Sequence, residues 1–469
     1  MILGRDKELK LMNDLYDKGG FQLLLLYGRR RIGKTTLITE FIKNKRNIFF
    51  SAEQDTKENN MNKFSKIVFD YFNVSNLENF KTFDNLLLYI IERIGKEKLV
   101  LVIDELPYFC KYYKSLLSSL QHIIDHKLKK TNIYLILCGS YMSFMENEVL
   151  GEKSPIFGRR TAQMKLKELD YLDASLFFKK KNAIEKSEIY GALGGTALYL
   201  SLYNNELSFK ENINDLYLKS IGYLYEEAKI LLKQEIEEPY TYNAIIEAIA
   251  HGYTKANEIA TKIGEETSKC IKYINTLIGL GLIIKETPFD GKENNRKTIY
   301  QISDLMFRFW YRYVFSNHSL IEQDGGKVVF EKIIMPTYND YMGHVFEKIC
   351  MQYLNRANIL GKLPFIFTKL GRWWGSDKKT KKQVEIDIVA SDGNKNYLFC
   401  ECKWTNEKVG ESVLKELEYN SNIFNDNIVN KKYILFSKSG WTESLIKESR
   451  KREDLILVSV DNIYKLNSK

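Results

Sequence analysis

Gly28, Gly33, Lys34 and Thr35 are the first residues in this 469-residue chain whose types and spacing carry chemistry. A glycine-rich turn lets backbone N–H groups approach phosphate oxygens, and a helix opening beside it adds partial positive charge. The Lys34 ammonium suits the β- and γ-phosphates of a nucleotide, and the Thr35 hydroxyl suits Mg²⁺. The run Gly28, Arg29, Arg30, Arg31, Ile32, Gly33, Lys34, Thr35 and Thr36 therefore reads as a cradle for ATP with Mg²⁺. Arg29, Arg30 and Arg31 either touch phosphate or point to solvent. Downstream, KLVLVIDELPYF ends an apolar run in Asp104 and Glu105. Asp104 is expected to hold Mg²⁺ through water, and Glu105 to polarise the attacking water. Ser140 closes the run NIYLILCGS; it either contacts the γ-phosphate or that water, or is a simple turn residue. Arg159, after the glycine of SPIFGRR, offers a guanidinium for charge developing on a transferred phosphoryl group. It equally suits holding a neighbouring domain or covering a helix end.

A second set lies near the C-terminus. VEIDIVA alternates, so Glu385 and Asp387 share a face, and YLFCECKW puts Glu401 and Lys403 on one face. The Asp392–Gly393 turn brings the two strands side by side. Glu347 is available from the preceding helical run YMGHVFEKICMQYL. Carboxylates at adjacent strand ends hold Mg²⁺ through oxygen ligands, and the metal polarises a phosphodiester and lowers the pKa of a bound water. On this reading Asp387, Glu401 and Glu347 are metal ligands and Lys403 either stabilises the pentavalent charge or positions the nucleophile. A bare E-x-K triplet arises about four times by chance in a chain this rich in Glu and Lys. The weight of the motif lies in its two hydrophobic strands, where unpaired charge is expensive to bury. An edge cluster of ion pairs is the other reading.

These groups require particular elements around them. Gln22–Tyr27 and Leu99–Ile103 are apolar runs suited to strands buried on both faces, and LITEFIKNK after the cradle is helix-like. Residues 242–290 show three helical runs, and IIKETPFDGKENNRKTIYQIS follows as two short strands around a loop. That order is a winged helix. It serves either as a DNA reader, with Ser268, Lys269, Lys272 and Tyr273 leading and Lys292, Arg296 and Lys297 on the wing, or as an adaptor. DLMFRFWYRYVF reads as packing rather than a base-stacking surface. GKLPFIFTKLGRWWGSDKKTKK reads as a basic loop, with Trp373 and Trp374 either meeting an unstacked base or tucked into the core.

The opening ILGRDKEL, the loop GRRRIGKTT, the strand VLVIDE, the CGS strand and the FGRR segment together resemble the archaeal and bacterial ATPases near the AAA+ and STAND branches. The resemblance covers the first half of the chain. It implies that Gly4 and Arg5 lie near the adenine pocket, that Ser140 takes a first-sensor position and that Arg159 senses nucleotide. Members often carry a proline in the segment matching GALGGTALYL, where this chain has Thr196–Ala197. Residues 330–469 resemble the PD-(D/E)xK restriction-endonuclease-like nucleases, and more narrowly the endonuclease-like domain that follows this ATPase module in many members. That resemblance assigns Glu347 as the helix acid, Asp387 as the metal acid, Glu401 and Lys403 as the E-x-K pair, and Glu385 as an extra ligand. Ile386 stands where the nuclease pattern has proline.

Composition sets the frame. Hydrophobic residues make up 44% and charged residues 28%, as in ordinary globular chains, which argues against disorder. The net charge of +10 permits an acidic partner such as nucleic acid. Six scattered cysteines without a CxxC pair fit buried thiols in a reducing cytosol. The charged N-terminus and short apolar runs predict neither signal peptide nor membrane span, hence a cytoplasmic protein. His122 and His126 have i, i+4 spacing but no third metal ligand, whereas His344 lies one turn before Glu347.

The expected architecture is α/β: a P-loop parallel sheet with a helical lid over residues 1–235, a winged helix over 236–303, an aromatic connector over 304–329, and a nuclease-like α/β domain over 330–469. The expected activity is ATP hydrolysis gating a nucleic-acid-processing site, on DNA rather than RNA, in a homo-oligomer or a monomer. The rival is an ATP-controlled switch whose C-terminal domain binds DNA or protein without cleaving it.

Overall fold

Continuous apolar runs on both faces of a strand demand cover from both sides, and a parallel sheet supplies it. In the computed structural model, which describes residues 2–75, 78–236, 238–291, 297–425, 428 and 430–466, five such strands form the first sheet. They are β1 (Gln22–Tyr27), β2 (Asn47–Ser51), β3 (Lys98–Asp104), β4 (Asn132–Gly139) and β5 (Ala162–Lys165). Their order is β2-β3-β4-β1-β5, all parallel. Leu23 and Leu25 turn to one face, with Phe64 and Phe109, and Leu24 and Leu26 to the other, with Leu37 and Phe41. The parallel register aligns Tyr27 with Gly139 and Ile103 with Leu137. The ends of β1, β4 and β3 thus lie along one edge, where open α/β sheets bind ligands. The chain up to Leu169, with Thr196–Leu198, forms this first compact unit.

Asp170–Gly195 and Tyr199–Lys469 form the second. The helices Tyr240–Ala250, Ala256–Ile263 and Thr267–Gly279 are followed by the antiparallel pair β6 (Ile283–Glu286) and β7 (Ile299–Ile302), the order the sequence predicts. The aromatic run after them is packing: Phe307, Phe309, Trp310, Tyr311 and Tyr313 are all buried. A second sheet contains β8 (Lys369–Ser376), β9 (Gln383–Ser391), β10 (Asn396–Lys403), β11 (Asn430–Ser437) and β12 (Leu455–Ser459). It is mixed, in the order β12-β11-β10-β9-β8, with β8, β9 and β10 antiparallel and β10, β11 and β12 parallel.

The segment read as a basic loop is corrected here, because Lys369–Ser376 is the edge strand β8. Its Trp373 is 5% exposed and packs edge-on to Phe424, so it is a core residue and not a stacking platform. Trp374 donates from Nε1 to the Lys297 carbonyl. Lys292 and Arg296 lie outside the described residues. All six cysteines are buried and free. No helix among the described residues is long and apolar enough to cross a membrane.

Candidate functional site

The loop after β1 is shaped by its backbone. A Cβ on Gly28 would lie 2.4 Å from the Leu166 carbonyl oxygen and 2.6 Å from Ile32 Cδ1, so no other residue fits. Arg31 and Gly33 both take left-handed φ, +68° and +94°, and turn the chain into the helix Lys34–Ile42. Gly33 caps that helix without a side chain, which leaves its first N–H groups for an anion. Lys34 is 6% exposed, and its Nζ donates to the Gly28 and Arg29 carbonyls, both at 2.9 Å. Burial holds its ammonium below the usual lysine range, against the pull of Glu105 and Asp104. A buried cation resting on carbonyls is poised for a stronger acceptor such as phosphate. Ile32 is buried beneath the loop, and Thr35 and Thr36 are exposed.

The second element of the pair arrives from β3. Thr35 Oγ1 donates to Asp104 Oδ2 at 2.8 Å, and Asp104 Oδ1 accepts from the Glu105 amide at 2.9 Å. These oxygen donors suit a hard cation such as Mg²⁺. Glu105 adopts left-handed φ, +52°, which an L-residue bears at a penalty of about 1–2 kcal/mol. Ser140 Oγ, just past β4, donates to Glu105 Oε2 at 2.7 Å. Ser140 thus meets the carboxylate expected to activate water.

The arginines divide. Arg29 pairs with Glu168 at 2.8 Å, and Arg30 donates to the Tyr108 hydroxyl at 2.6 Å. Arg159 uses Nε and Nη2 on Asp125, at 3.0 and 2.7 Å, and Nη1 on the Pro155 and Phe157 carbonyls. Asp125 stands in the last turn of the helix Leu116–His126, and the hydrogen bonds from Arg159 and Lys129 bring it to about 2. These contacts tie the FGRR segment to the end of that helix. Arg5, 3% exposed, donates to the Ile32 and Lys167 carbonyls and to Glu8, so it ties the chain start to the loop. Gly4 precedes it with φ +68°. Ala197, in the Thr196–Ala197 segment, stands 3.7 Å from a Cβ built on Gly33.

In the second unit the β9–β10 pairing runs to Cys400↔Ile388, so Asp387 and Glu401 follow as neighbours. Asp387 Oδ2 accepts from the Cys402 amide at 2.8 Å, and Lys403 Nζ donates to Glu401 Oε1 at 2.6 Å. Burial, then the charges of Glu401 and Glu347, push the Asp387 carboxyl well above its usual range. Burial likewise raises Glu401, with Lys403 opposing. Glu347 comes from the helix Met335–Ile359. Burial works to raise it, but His344 and Arg372 together hold it low. His344 Nδ1 is 3.6 Å from Glu347 Oε1. Glu385 is mostly exposed and 3.9 Å from Arg372. The carboxylates therefore share a neighbourhood, yet among the described residues no three His, Cys, Asp or Glu side chains converge into a metal-holding group. The oxygen donors are the kind Mg²⁺ takes, but Glu347 is engaged by Arg372 at 3.3 Å.

Sequence reasoning missed Arg372, Glu286, Arg308 and Phe289. Arg308, within the aromatic run DLMFRFWYRYVF, is 8% exposed with an unpartnered Nε. No local signal marked Arg372 or Glu286, since both look like ordinary surface charges.

Residues 2–202 match a family described as an ATPase domain predominantly from Archaea, and residues 310–416 match one described as archaeal and bacterial proteins of unknown function. An uncharacterized protein of Methanocaldococcus jannaschii is 35% identical over 410 residues, 87% of this chain and 88% of that protein. An uncharacterized ATP-binding protein of the same organism is 41% identical over 46 residues, 10% of this chain and 78% of that protein. The Walker-type ATPase of Pyrococcus abyssi shares the fold, with a TM-score of 0.50 and 18% identity over 66% of this chain and 96% of that one.

Proposed function

The chain belongs to the family of its Methanocaldococcus jannaschii relative, with an archaeal ATPase domain over residues 2–202, and from that premise we propose that it hydrolyses ATP to control a nucleic-acid-processing centre in its second unit. The carrying observation is the hydrogen bond from Thr35 to Asp104. It joins the phosphate-cradle helix to the acidic end of β3 at the edge of one sheet. Gly28, Gly33 and Lys34 cradle the phosphates, Thr35 and Asp104 hold Mg²⁺, Glu105 polarises the attacking water, and Ser140 positions Glu105. Thr196–Leu198 groups with the first unit while the chain on either side belongs to the second. A nucleotide-dependent shift of this tripeptide reaches the second unit through the backbone itself.

Asp387, Glu401 and Lys403 support a Mg²⁺-dependent phosphodiester chemistry, on DNA in preference to RNA. The pairing of Glu347 with Arg372 favours the second reading, in which this centre binds nucleic acid or protein without cleaving it. Two experiments test the scheme. Lys34→Ala is expected to abolish ATP turnover, and retained turnover ends the first-unit assignment. Mg²⁺-dependent cleavage of DNA, lost in both Asp387→Asn and Lys403→Ala, supports the nuclease reading. A wild-type chain that cleaves no nucleic acid, with or without ATP, favours the switch.

A further inference from the structure

Arg30 sits midway along the phosphate loop, between Gly28 and Gly33, and its side chain reaches the other element of the nucleotide site. Its Nη2 donates to the Tyr108 hydroxyl at 2.6 Å, and its guanidinium carbon lies 5.7 Å from the centre of the Tyr108 ring. Tyr108 belongs to the short helix Leu106–Tyr112, which leaves β3 directly after Asp104 and Glu105. The Tyr108 amide donates to the Glu105 carbonyl at 2.9 Å. One side-chain bond and one backbone bond therefore connect the middle of the loop to the residue that bears the water-activating carboxylate.

The charges converge on the same place. After burial, which lowers it most, the Lys34 ammonium is pulled up by Glu105 and Asp104 and pushed down by Arg30. All four groups thus act on one small volume at the edge of the sheet. Other arginines are turned elsewhere, Arg29 to Glu168 and Arg159 to Asp125. Two cations that repel each other become favourable neighbours once a polyanion lies between them. A tyrosine hydroxyl is a neutral acceptor, whereas phosphate oxygens take charge-assisted bonds from a guanidinium. The five N–H donors of an arginine allow it to hold a hydroxyl and an oxyanion together.

We propose that Arg30 is a further catalytic residue of ATP hydrolysis, its guanidinium meeting the γ-phosphoryl group as negative charge develops there, and that Tyr108 is the positioning residue that aims it and ties it to the Glu105 turn. This rests on the reading of the first unit as an ATP hydrolase and deepens it. In the step concerned, the water oxygen bonds to the γ-phosphorus while the bond from that phosphorus to the β–γ bridging oxygen breaks. The electron pair of the broken bond stays with ADP, and the water proton passes to Glu105. Arg30 forms no covalent bond; it neutralises charge that is greatest in transit. ADP alone lacks the group that Arg30 serves, so the residue adds little to ADP binding.

The test is equilibrium binding of a fluorescent ADP to the full chain, with Mg²⁺ present, with and without tetrafluoroaluminate, a mimic of the phosphoryl group in transit. The quantity read is the gain in affinity that tetrafluoroaluminate brings. Arg30→Gln is expected to leave ADP affinity within about threefold and to cut the gain about a hundredfold. Arg30→Lys keeps the charge without the fork and is expected to lose only about tenfold. Tyr108→Phe keeps the ring, drops the hydroxyl and is expected to cut the gain about tenfold with ADP affinity unchanged. The double variant is expected to match Arg30→Gln alone, because Tyr108 acts through Arg30; a tyrosine that only supports the fold adds its own loss. Thermal unfolding without nucleotide verifies the fold of each variant, and Arg30→Lys carries the reading if the glutamine variant is unfolded. A loss shared equally by ADP and its tetrafluoroaluminate complex makes Arg30 a plain phosphate anchor and overturns the proposal. So does an unchanged gain in the folded Arg30 variants, or a wild type that binds ADP and gains nothing from tetrafluoroaluminate. Each of these results leaves the nucleotide site standing. A wild type that binds neither ADP nor ATP overturns the ATPase reading itself.

Discussion

Ser140 Oγ donates a 2.7 Å hydrogen bond to Glu105 Oε2, across the adjacent ends of β4 and β3. The serine fixes the direction of a carboxylate whose backbone is already forced into left-handed φ. Ser140→Ala is therefore expected to lower the turnover of ATP about tenfold without changing nucleotide affinity, since positioning acts on the chemical step. Glu105→Gln is expected to bind ATP normally and hydrolyse it at least about a hundredfold more slowly. Steady-state hydrolysis and equilibrium binding of a fluorescent ATP analogue separate the two quantities.

Glu105 also stores strain. Glu105→Gly relieves it, whereas Glu105→Ala removes the same carboxylate and keeps the strain. The glycine variant is expected to be more stable than the alanine variant by about 1 kcal/mol, read from urea unfolding midpoints, although both lack hydrolysis. Equal stability would show that the left-handed turn is not strained.

Lys34 is desolvated, and its ammonium lies below the usual lysine range. A cation held low in the fold destabilises that fold at neutral pH, where it is still charged, and the effect fades as pH rises through the ordinary lysine value. Lys34→Met is accordingly expected to melt at or above the wild-type temperature without nucleotide. It should lose the stabilisation that ATP gives the wild type, about 2.7 kcal/mol at a hundredfold excess over Kd. Differential scanning calorimetry with and without ATP reads both.

Asp387 carries the opposite sign. Its carboxyl is raised by burial and by the charges of Glu401 and Glu347, so the native state holds the proton more tightly than the unfolded chain. Its contribution to stability is full below the unfolded value, about 3.9. That contribution is lost as pH rises through the higher native value. Asp387→Asn is expected to raise the melting temperature near pH 7, with the gain shrinking as pH falls towards 4. A gain independent of pH would place its origin in packing rather than charge.

Phe289 anchors the wing on the second sheet, in the same core as Trp373, Val389 and Phe399. Phe289→Ala is expected to destabilise the second unit by about 3–5 kcal/mol, the usual loss for an emptied aromatic site. Because the Phe289 amide also donates to the Arg372 carbonyl, faster hydrogen exchange at the Phe289 amide and along β8 should accompany the loss. Protection unchanged across β8 would mean that the wing is held by other contacts.

Much of this was legible before the fold. The sequence places β1 at Gln22–Tyr27, where the strand is found, and ends β3 at Asp104. Unbroken apolar runs have one stable destination, the interior of a parallel sheet. The hairpin carrying Asp387 and Glu401 was readable from alternation and its Asp-Gly turn. Strand β8 was not readable, because its lysine, arginine and glycines resemble a solvated loop and only the neighbouring β9 satisfies its backbone. The partner of Arg159 was not readable either. A guanidinium after a glycine fits developing charge, but its pairing with Asp125 depends on where a distant helix ends.

Residue types and spacing alone determined the phosphate-binding loop, its acidic partner on β3 and the inward acids of the last hairpin, because backbone reach and strand period are local properties. Only the tertiary structure decided which charges meet: Ser140 with Glu105, Arg159 with Asp125, and Arg372 among Glu286, Glu347 and Glu385. Attraction between charges acts through space over a few ångströms, and separation along the chain does not specify that distance.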